Sequence, residues 1–479
     1  MEKKGKIIAL AALLVIVAGA AVFGILYGSR QSSAPGTAGN TGSAQIHFSG
    51  DDATASGAGI SLDKNKVIIN KGGTYTLDGE MTDGQIYVKV SDEETVTLSL
   101  NGITLSNKTE HPIHVENAKE TILTSETDQV NTITAGTEVS VGSNKETQLA
   151  AIYSRDDLTV EKGTYRVTAS GDGLHSNDDI TIKGGTIKIQ CGDDGVHANE
   201  ELKVKDGSIT VTESYEGLEA NQLMIEGGEH DITASDDGLN ANGGQNSFGK
   251  GPGGGRGPGG ARPGRPDADG DLDGVIPDGD QKKREFPQKA PKDMAQDTED
   301  ESADEGEDDG TNEEKTPNLI ISGGKLTVDA QGDGLDSNGN LLVKGGEVFV
   351  QGPSSDGNGA LDSGSESGGY CRIEGGTVIA VGSSGMAETF DDSSTQCSFR
   401  YNFENRFAEN TEISILDEKG KEIFHYKNKR EAASVVFSSP ELEKGKKYTV
   451  KAGEQTKEMT LSDISSTFGT ETRGMGGRR

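Results

Sequence analysis

The chain has 479 residues, with 79 acidic against 46 basic side chains, a formal net charge of −33, and only 31% hydrophobic and 5% aromatic residues. No broad cationic face is available for phosphates, which excludes a nucleic-acid binder. The 69 glycines, about twice average usage, argue against a helical bundle, because each helical glycine costs about 1 kcal/mol relative to alanine. Together with many Asn, Asp, Ser and Thr they suit short strands and tight turns.

Residues 2–6 carry three lysines, and residues 7–29 carry no charge. The apolar part, residues 7–27, would span about 31 Å as a helix, matching a ~30 Å hydrocarbon core. The lysines place the rest of the chain outside the cell. A cleaved signal peptide has a shorter apolar run of roughly 7–15 residues. The expectation is therefore a membrane anchor at 1–30, with cleavage near Ala18 and Ala20, and so secretion, as the alternative. Residues 31–60 are read as a flexible linker, because their first ten are Gln, Ser, Ala, Pro, Gly, Thr and Asn.

Internal repetition follows. GDGLHSNDDITIKGGTIKIQ from Gly171 matches DDGVHANEELKVKDGSITVT from Asp193. YEGLEANQLMIEGGEHDITA from Tyr215, DDGLNANGG from Asp236 and GDGLDSNGNLLVKGGEVFVQ from Gly332 continue the series. The acid recurs at Asp172, Asp194, Glu216, Asp237 and Asp333, the first three steps being 22, 22 and 21 residues. Each unit holds alternating apolar runs, such as Ile180, Ile182, Ile187 and Ile189, separated by Gly-Gly or Asp-Gly. Alternation means strands with one face inward, and a repeat this short buries its apolar face only against its neighbours. The predicted fold is all-β: a single-stranded right-handed parallel β-helix over 61–242 and 318–390. Leu174, Val196, Leu218, Leu239, Leu335 and Leu361 form an inward column. Asn177, Asn199, Asn221, Asn242 and Asn338 form a ladder at a corner, where Asn tolerates the left-handed backbone.

Residues 243–317 break the pattern. A stretch rich in Gly, Pro and Arg at 249–266 is followed by twelve acids and no base at 293–314, so a disordered insert is predicted. Residues 391–465 read as antiparallel hairpins forming a small C-terminal β cap, and 466–479 as a tail. Cys191, Cys371 and Cys397 are too few for a disulfide framework and read as buried small hydrophobes, with a Cys371–Cys397 bridge as the alternative.

Two polar columns flank the inward Leu/Val column and are expected to point outward. One is Asp172, Asp194, Glu216, Asp237 and Asp333; the other is His175, His197, Glu219, Asn240, Asp336 and Asp362. Neighbouring units lie about 4.7–4.9 Å apart, where two carboxylates repel by about 3–4 kcal/mol at an effective dielectric near 20. Ca²⁺, with six to eight oxygen ligands at roughly 2.3–2.6 Å, relieves that repulsion by bridging units. The competing reading is solvated turn acids whose Asp-Gly pairs shape the corner. Zinc is disfavoured, because only two His stack and no Cys joins them. The stretch from Asp269 to Asp280 places acids at positions 1, 3, 5 and 12 with Gly274 at 6, as in an EF-hand loop, but has Pro277 at position 9.

The ordered series GDGLHSN, DDGVHAN, SYEGLEAN and ASDDGLNANGG, followed by a Gly-rich insert, resembles a bacterial carbohydrate-binding family. The resemblance runs from about Gly72 to Gly382, apart from the insert, and continues into SSPELEKGKKYTVKAG. It implies a calcium-binding parallel β-helix similar in shape to polysaccharide lyases, which binds cellulose and pectic polymers outside the cell without catalysis. The calcium-ligand role is carried onto Asp172, Asp194, Glu216, Glu219, Asp237 and Asp333, with Asp336 and Asp362 continuing the second column. A calcium-dependent lyase is the rival: β-elimination needs a general base, commonly Arg or Lys, and Arg155 and Arg166 lie near the regular units without a clear acid partner. A structural adhesin that binds proteins is the third reading.

Overall fold

The computed structural model describes residues 42–142, 148–242 and 316–471. These residues are all-β: one sheet of 33 mostly parallel strands and a second, antiparallel sheet of four, with one short 3-10 turn at Ser365–Ser367.

Each repeat unit supplies three short runs of strand, and each run pairs in parallel with its equivalent one unit later. Leu174–Ser176, Ile180–Ile182 and Thr186–Cys191 make one unit; Val196–Val204, which joins the first two runs, and Ser208–Glu213 make the next. The register links Leu174, Val196, Leu218, Leu239, Leu335 and Leu361 in one column, all buried, as the periodicity predicts. Ile180, Leu202, Leu223, Leu319, Leu341 and Cys371 form a second. Ile189, Val211, Ile232, Val328, Val350 and Ala380 form a third. Each buried Leu, Ile or Val contributes about 1.5–3 kcal/mol relative to exposure, and no unit supplies it alone. Asn240 pairs with Asp336 as directly as Glu219 pairs with Asn240, so the register survives the insert.

The corners differ from expectation. Among the described residues the positive-φ non-glycine positions are Lys64, Asp83 and Asn410, so Asn177, Asn199, Asn221, Asn242 and Asn338 do not supply the left-handed backbone. That conformation falls on the second glycine of each Gly-Gly or Asp-Gly pair, at Gly185, Gly207, Gly228, Gly324, Gly346 and Gly376, with φ between 78° and 99°. A side chain there is disfavoured by the Cβ clash that only glycine escapes.

Both ends of the stack are covered. Residues 42–58 of the expected linker form paired strands instead: Gly42–Gly50 lies parallel to Gly73–Met81 and antiparallel to Asp52–Ala58, with Ala44, Ile46 and Phe48 buried. At the other end Ala432–Ser438 runs antiparallel to Thr377–Gly382 and stops the parallel stacking. The hairpin expected in TEISILDEKGKEIFHYKNK is present, Glu412–Leu416 with Glu422–Lys427; the one expected in SSPELEKGKKYTVKAGEQ lies further on, Lys447–Ala452 with Gln455–Thr460. Residues 466–469, expected as part of the tail, are strand instead: Ser465–Gly469 pairs with the strand Ser398–Phe407. Cys191, Cys371 and Cys397 are free and buried, which removes the bridge alternative. The apolar segment 7–27, the insert from 243 to 315 and the loop from Asp269 to Asp280 lie outside the described residues. Among those described, no helix is long and apolar enough to cross a membrane.

Leu218→Ala, in the middle of the first column, is expected to cost about 2–5 kcal/mol in denaturant unfolding. Leu62→Ala, at a residue 41% exposed, is expected to stay within about 0.5 kcal/mol.

Candidate functional site

Two outward rows run along the stack on either side of the Leu column. The first contains Asp172, Asp194, Glu216, Asp237 and Asp333. Its spacing is fixed by backbone bonds through the following glycine: Gly173, Gly195, Gly217 and Gly238 each donate N–H to the carbonyl of the next unit's acid at 2.9–3.0 Å. A Cβ on these glycines would lie 2.2–2.5 Å from the next unit's glycine carbonyl, which is why Gly follows each acid. The carboxylates also stack: Asp172 Oδ1 accepts from Asp194 N–H at 3.1 Å, and Asp237 Oδ1 from Asp333 N–H at 2.7 Å.

The second row is set by strand register and is longer than expected. It reads Tyr87, His114, Tyr153, His175, His197, Glu219, Asn240, Asp336 and Asp362. Its first half is aromatic. Ring centroids from Tyr87 through His197 are 4.7–5.2 Å apart, and His111 stacks on Tyr153 at 4.6 Å. The Tyr153, His175 and His197 rings lie nearly parallel, so their faces meet each other and are not open to a sugar. Burial and neighbouring His111 push His114 down to about 4.

The rows were expected to point outward, with wet and half-buried turns both open; the upstream part is buried. Asp172, Asp194, His175 and Glu219 are each 2% exposed, and Glu216 is 5%. The chain at Gly142 lies beside this stretch, its N–H donating to the Gly192 carbonyl at 2.9 Å, while Ala151 N–H continues the unit-to-unit ladder to the Asp172 carbonyl at 3.1 Å. Downstream, Asp237, Asp333, Asp336 and Asp362 are half-buried.

This burial divides the site by charge. Upstream, histidines share the carboxylates, with His175 Nδ1 at 2.8 Å from Asp172 and His197 Nδ1 at 2.9 Å from Asp194 and 2.7 Å from Glu219. Burial lowers the His197 pKa, but Glu219 and Asp194 outweigh it and hold it well above 6.5. Burial pushes Asp194 well up, with Glu219, Asp193 and Glu216 adding to it. Downstream, Asn240 Nδ2 donates to Glu216 at 2.9 Å, but no cationic side chain among the described residues pairs with Asp237, Asp333, Asp336 or Asp362. Burial, followed by neighbouring carboxylates, pushes Asp237 up to about 7, Asp333 to about 8 and Asp362 to about 6, and pushes Asp336 well up.

Three sets of ligand atoms lie within 4.8 Å of one another: Asp172, Asp193 and Asp194; Asp194, His197 and Glu219; and Glu216, Asp236 and Asp237. Asp333, Asp336 and Asp362 form no such threesome, although Asp333 and Asp362 lie close enough to raise the Asp336 pKa. Glu388 extends the downstream end, accepting from Ser363 Oγ at 2.8 Å and Ser365 Oγ at 3.1 Å. It was missed because GMAETF carries no Asp-Gly signal. The aromatic half was legible in the triplets Ile86-Tyr87-Val88, Ile113-His114-Val115 and Ile152-Tyr153-Ser154, which share the pattern of Leu174-His175-Ser176. Arg155 has an acid partner after all, Glu116 at 3.3 Å, and Arg166 stands in register with Lys188 on a different strand run.

Fold and site together define an all-β repeat protein whose outer wall carries in-register polar rows. A family described as carbohydrate-binding domain-containing protein matches residues 63–251 and 310–460, and the chain belongs to that family. A carbohydrate-binding domain-containing protein of Acetivibrio thermocellus is 30% identical over 131 residues, covering 27% of this chain and 46% of the relative, so the match spans about half of that protein's length. A polysaccharide lyase-like protein from C. thermocellum, solved as a gadolinium derivative, is 28% identical; the likeness covers 42% of this chain and 86% of that one, with a TM-score of 0.38.

Two outcomes follow. Gly217→Ala would place a Cβ 2.2 Å from the Gly238 carbonyl and from Ile232 Cγ2, so thermal unfolding should show a loss of about 1–3 kcal/mol. In metal-free protein the raised carboxyls favour the folded state only while protonated. Stability should therefore be full below about pH 4 and fall as pH rises through 7–8; melts in chelator at pH 5 and pH 8 should show the drop, and Asp336→Asn should flatten it.

Proposed function

We propose that this chain is a non-catalytic, calcium-dependent polysaccharide-binding protein acting outside the cell, held to the membrane by a helix at 7–27 or secreted if that segment is cleaved. In this reading the stacked units wind as a right-handed parallel β-helix. The observation that carries it is the downstream run Asp237, Asp333, Asp336 and Asp362, half-buried and without a cationic partner among the described residues. Carboxylate and amide oxygens suit a hard cation. Glu216, Asp236 and Asp237 would hold Ca²⁺, with Asp333, Asp336 and Asp362 completing or repeating the site along the stack. Asp172, Asp194 and Glu219 continue the rows upstream, where histidines already share the carboxylates.

Family membership supports a polysaccharide as the partner. At a net charge of −33 the protein repels uronate polymers at long range. A Ca²⁺ ion held by the wall and still open to solvent on one side would bridge to a substrate carboxylate, which favours acidic, pectic chains over neutral ones. The lyase alternative loses support from Arg155, whose guanidinium is engaged by Glu116.

The test is retention on immobilised polygalacturonate and on cellulose. Binding to polygalacturonate is expected in millimolar calcium, lost in chelator, and weakened about tenfold or more by Asp333→Asn with Asp336→Asn. Retention unchanged by chelator would refute the calcium bridge. Unsaturated product absorbing in the ultraviolet would replace binding with lyase activity.

A further inference from the structure

The second row changes from imidazole to carboxylate between His197 and Glu219, and the chemistry there differs from the oxygen-only run downstream. His197 Nδ1 faces two carboxylates at once, Asp194 Oδ2 at 2.9 Å and Glu219 Oε2 at 2.7 Å. The three donor atoms lie within 4.8 Å of one another, and all three side chains are more than nine-tenths buried. The other ring nitrogen, Nε2, lies 3.0 Å from Asn199 Oδ1. That oxygen can only accept, so Nε2 carries the proton and Nδ1 is the nitrogen presented to the carboxylates. Metal-binding histidines are ordinarily supported in this way, by an acceptor on the far ring nitrogen that fixes the tautomer. A separate observation concerns the same carboxylate: Asp194 Oδ1 is buried with no hydrogen-bond partner, an acceptor left over at a position where an unsatisfied polar atom is costly.

The neighbouring unit shows why this level is special. His175 has the same two supports, Asp172 Oδ2 at 2.8 Å and Asn177 Oδ1 at 3.1 Å. Its row neighbours are Tyr153 and His197. Only His197 has an acid, Glu219, as its downstream neighbour.

We propose that Asp194, His197 and Glu219 form a second metal site, which takes a divalent transition metal such as Zn²⁺, Co²⁺ or Mn²⁺ through one imidazole nitrogen and two carboxylates. The metal replaces the proton that Nδ1 otherwise shares with the two carboxylates, and that proton leaves to solvent. Imidazole is a poor ligand for Ca²⁺ and a good one for these ions, so the two stretches of one wall select different metals. Asp194 and Glu219 are among the residues to which the resemblance gives a calcium role; the His197 imidazole sets this site apart, and it does not need calcium at the downstream carboxylates.

The test uses the full chain, stripped with chelator and titrated with Co²⁺ in the presence of excess calcium. The expected result is a visible d–d absorption that differs from the aquo ion, saturates at one cobalt per chain, is displaced by Zn²⁺ and survives a calcium-selective chelator. His197→Gln should abolish the band; Glu219→Gln, a second variant should the first fail to fold, should weaken binding about tenfold or more. Asp336→Asn should keep the band whatever it does to polygalacturonate retention, which separates failure of this site from failure of the calcium reading. No band, a band displaced by calcium, or a band unchanged in folded His197→Gln or Glu219→Gln would overturn the proposal.

Discussion

In-register parallel pairing between units is the constraint on which the rest of this structure depends. Backbone hydrogen bonds hold equivalent residues of successive units at the strand spacing of about 4.7–4.9 Å, and every side chain is repeated at that distance. For Leu174, Val196, Leu218 and Leu239 the repetition builds a core. For Asp172, Asp194, Glu216 and Asp237 it builds a line of like charge, each acid placed by the glycine that follows it. One geometry thus stabilises the inside and loads the outside.

The two ends of the loaded wall meet the problem differently. Upstream, His175 and His197 share the carboxylates of Asp172, Asp194 and Glu219, and aromatic contacts from Tyr87 to His197 continue the row. Downstream, Asn240 breaks the row once and the remaining positions are acids. Bound protons or a bound cation are the two ways to relieve such a run. The first is what the upward shifts of Asp237, Asp333 and Asp336 express; the second is the basis of the functional reading. In the proposed reading, carbohydrate recognition by this wall follows from a cation shared between protein and polymer, since the parallel rings of Tyr153, His175 and His197 face one another.

The period of about 22 residues, the inward column, the hairpin in TEISILDEKGKEIFHYKNK and the identity of the acidic positions were all legible in the sequence, because period-2 alternation and a fixed repeat are local signals. What was not legible depends on neighbours. Asp172, Asp194 and Glu219 were expected to point outward, and alternation separates inward from outward but does not reveal whether an outward side chain is wet or buried, as these three are. The left-handed corners were assigned to Asn177 and its equivalents, whereas the repeated Gly-Gly pairs already offered the residue without a Cβ. The capping strand Gly42–Gly50 was hidden in a stretch of small polar residues, where only Ala44, Ile46 and Phe48 alternate. Arg155 seemed unpaired because Glu116 lies 39 positions away, in a unit of irregular length.

The central claim is that a divalent cation neutralises the downstream carboxylates. The most direct measurement is a crystal structure of the protein grown with calcium, with an anomalous difference map phased on the protein alone. The account predicts a peak bonded to oxygens among Glu216, Asp236, Asp237, Asp333, Asp336 and Asp362. A map empty there, with those side chains hydrogen-bonded to one another through retained protons, would contradict it.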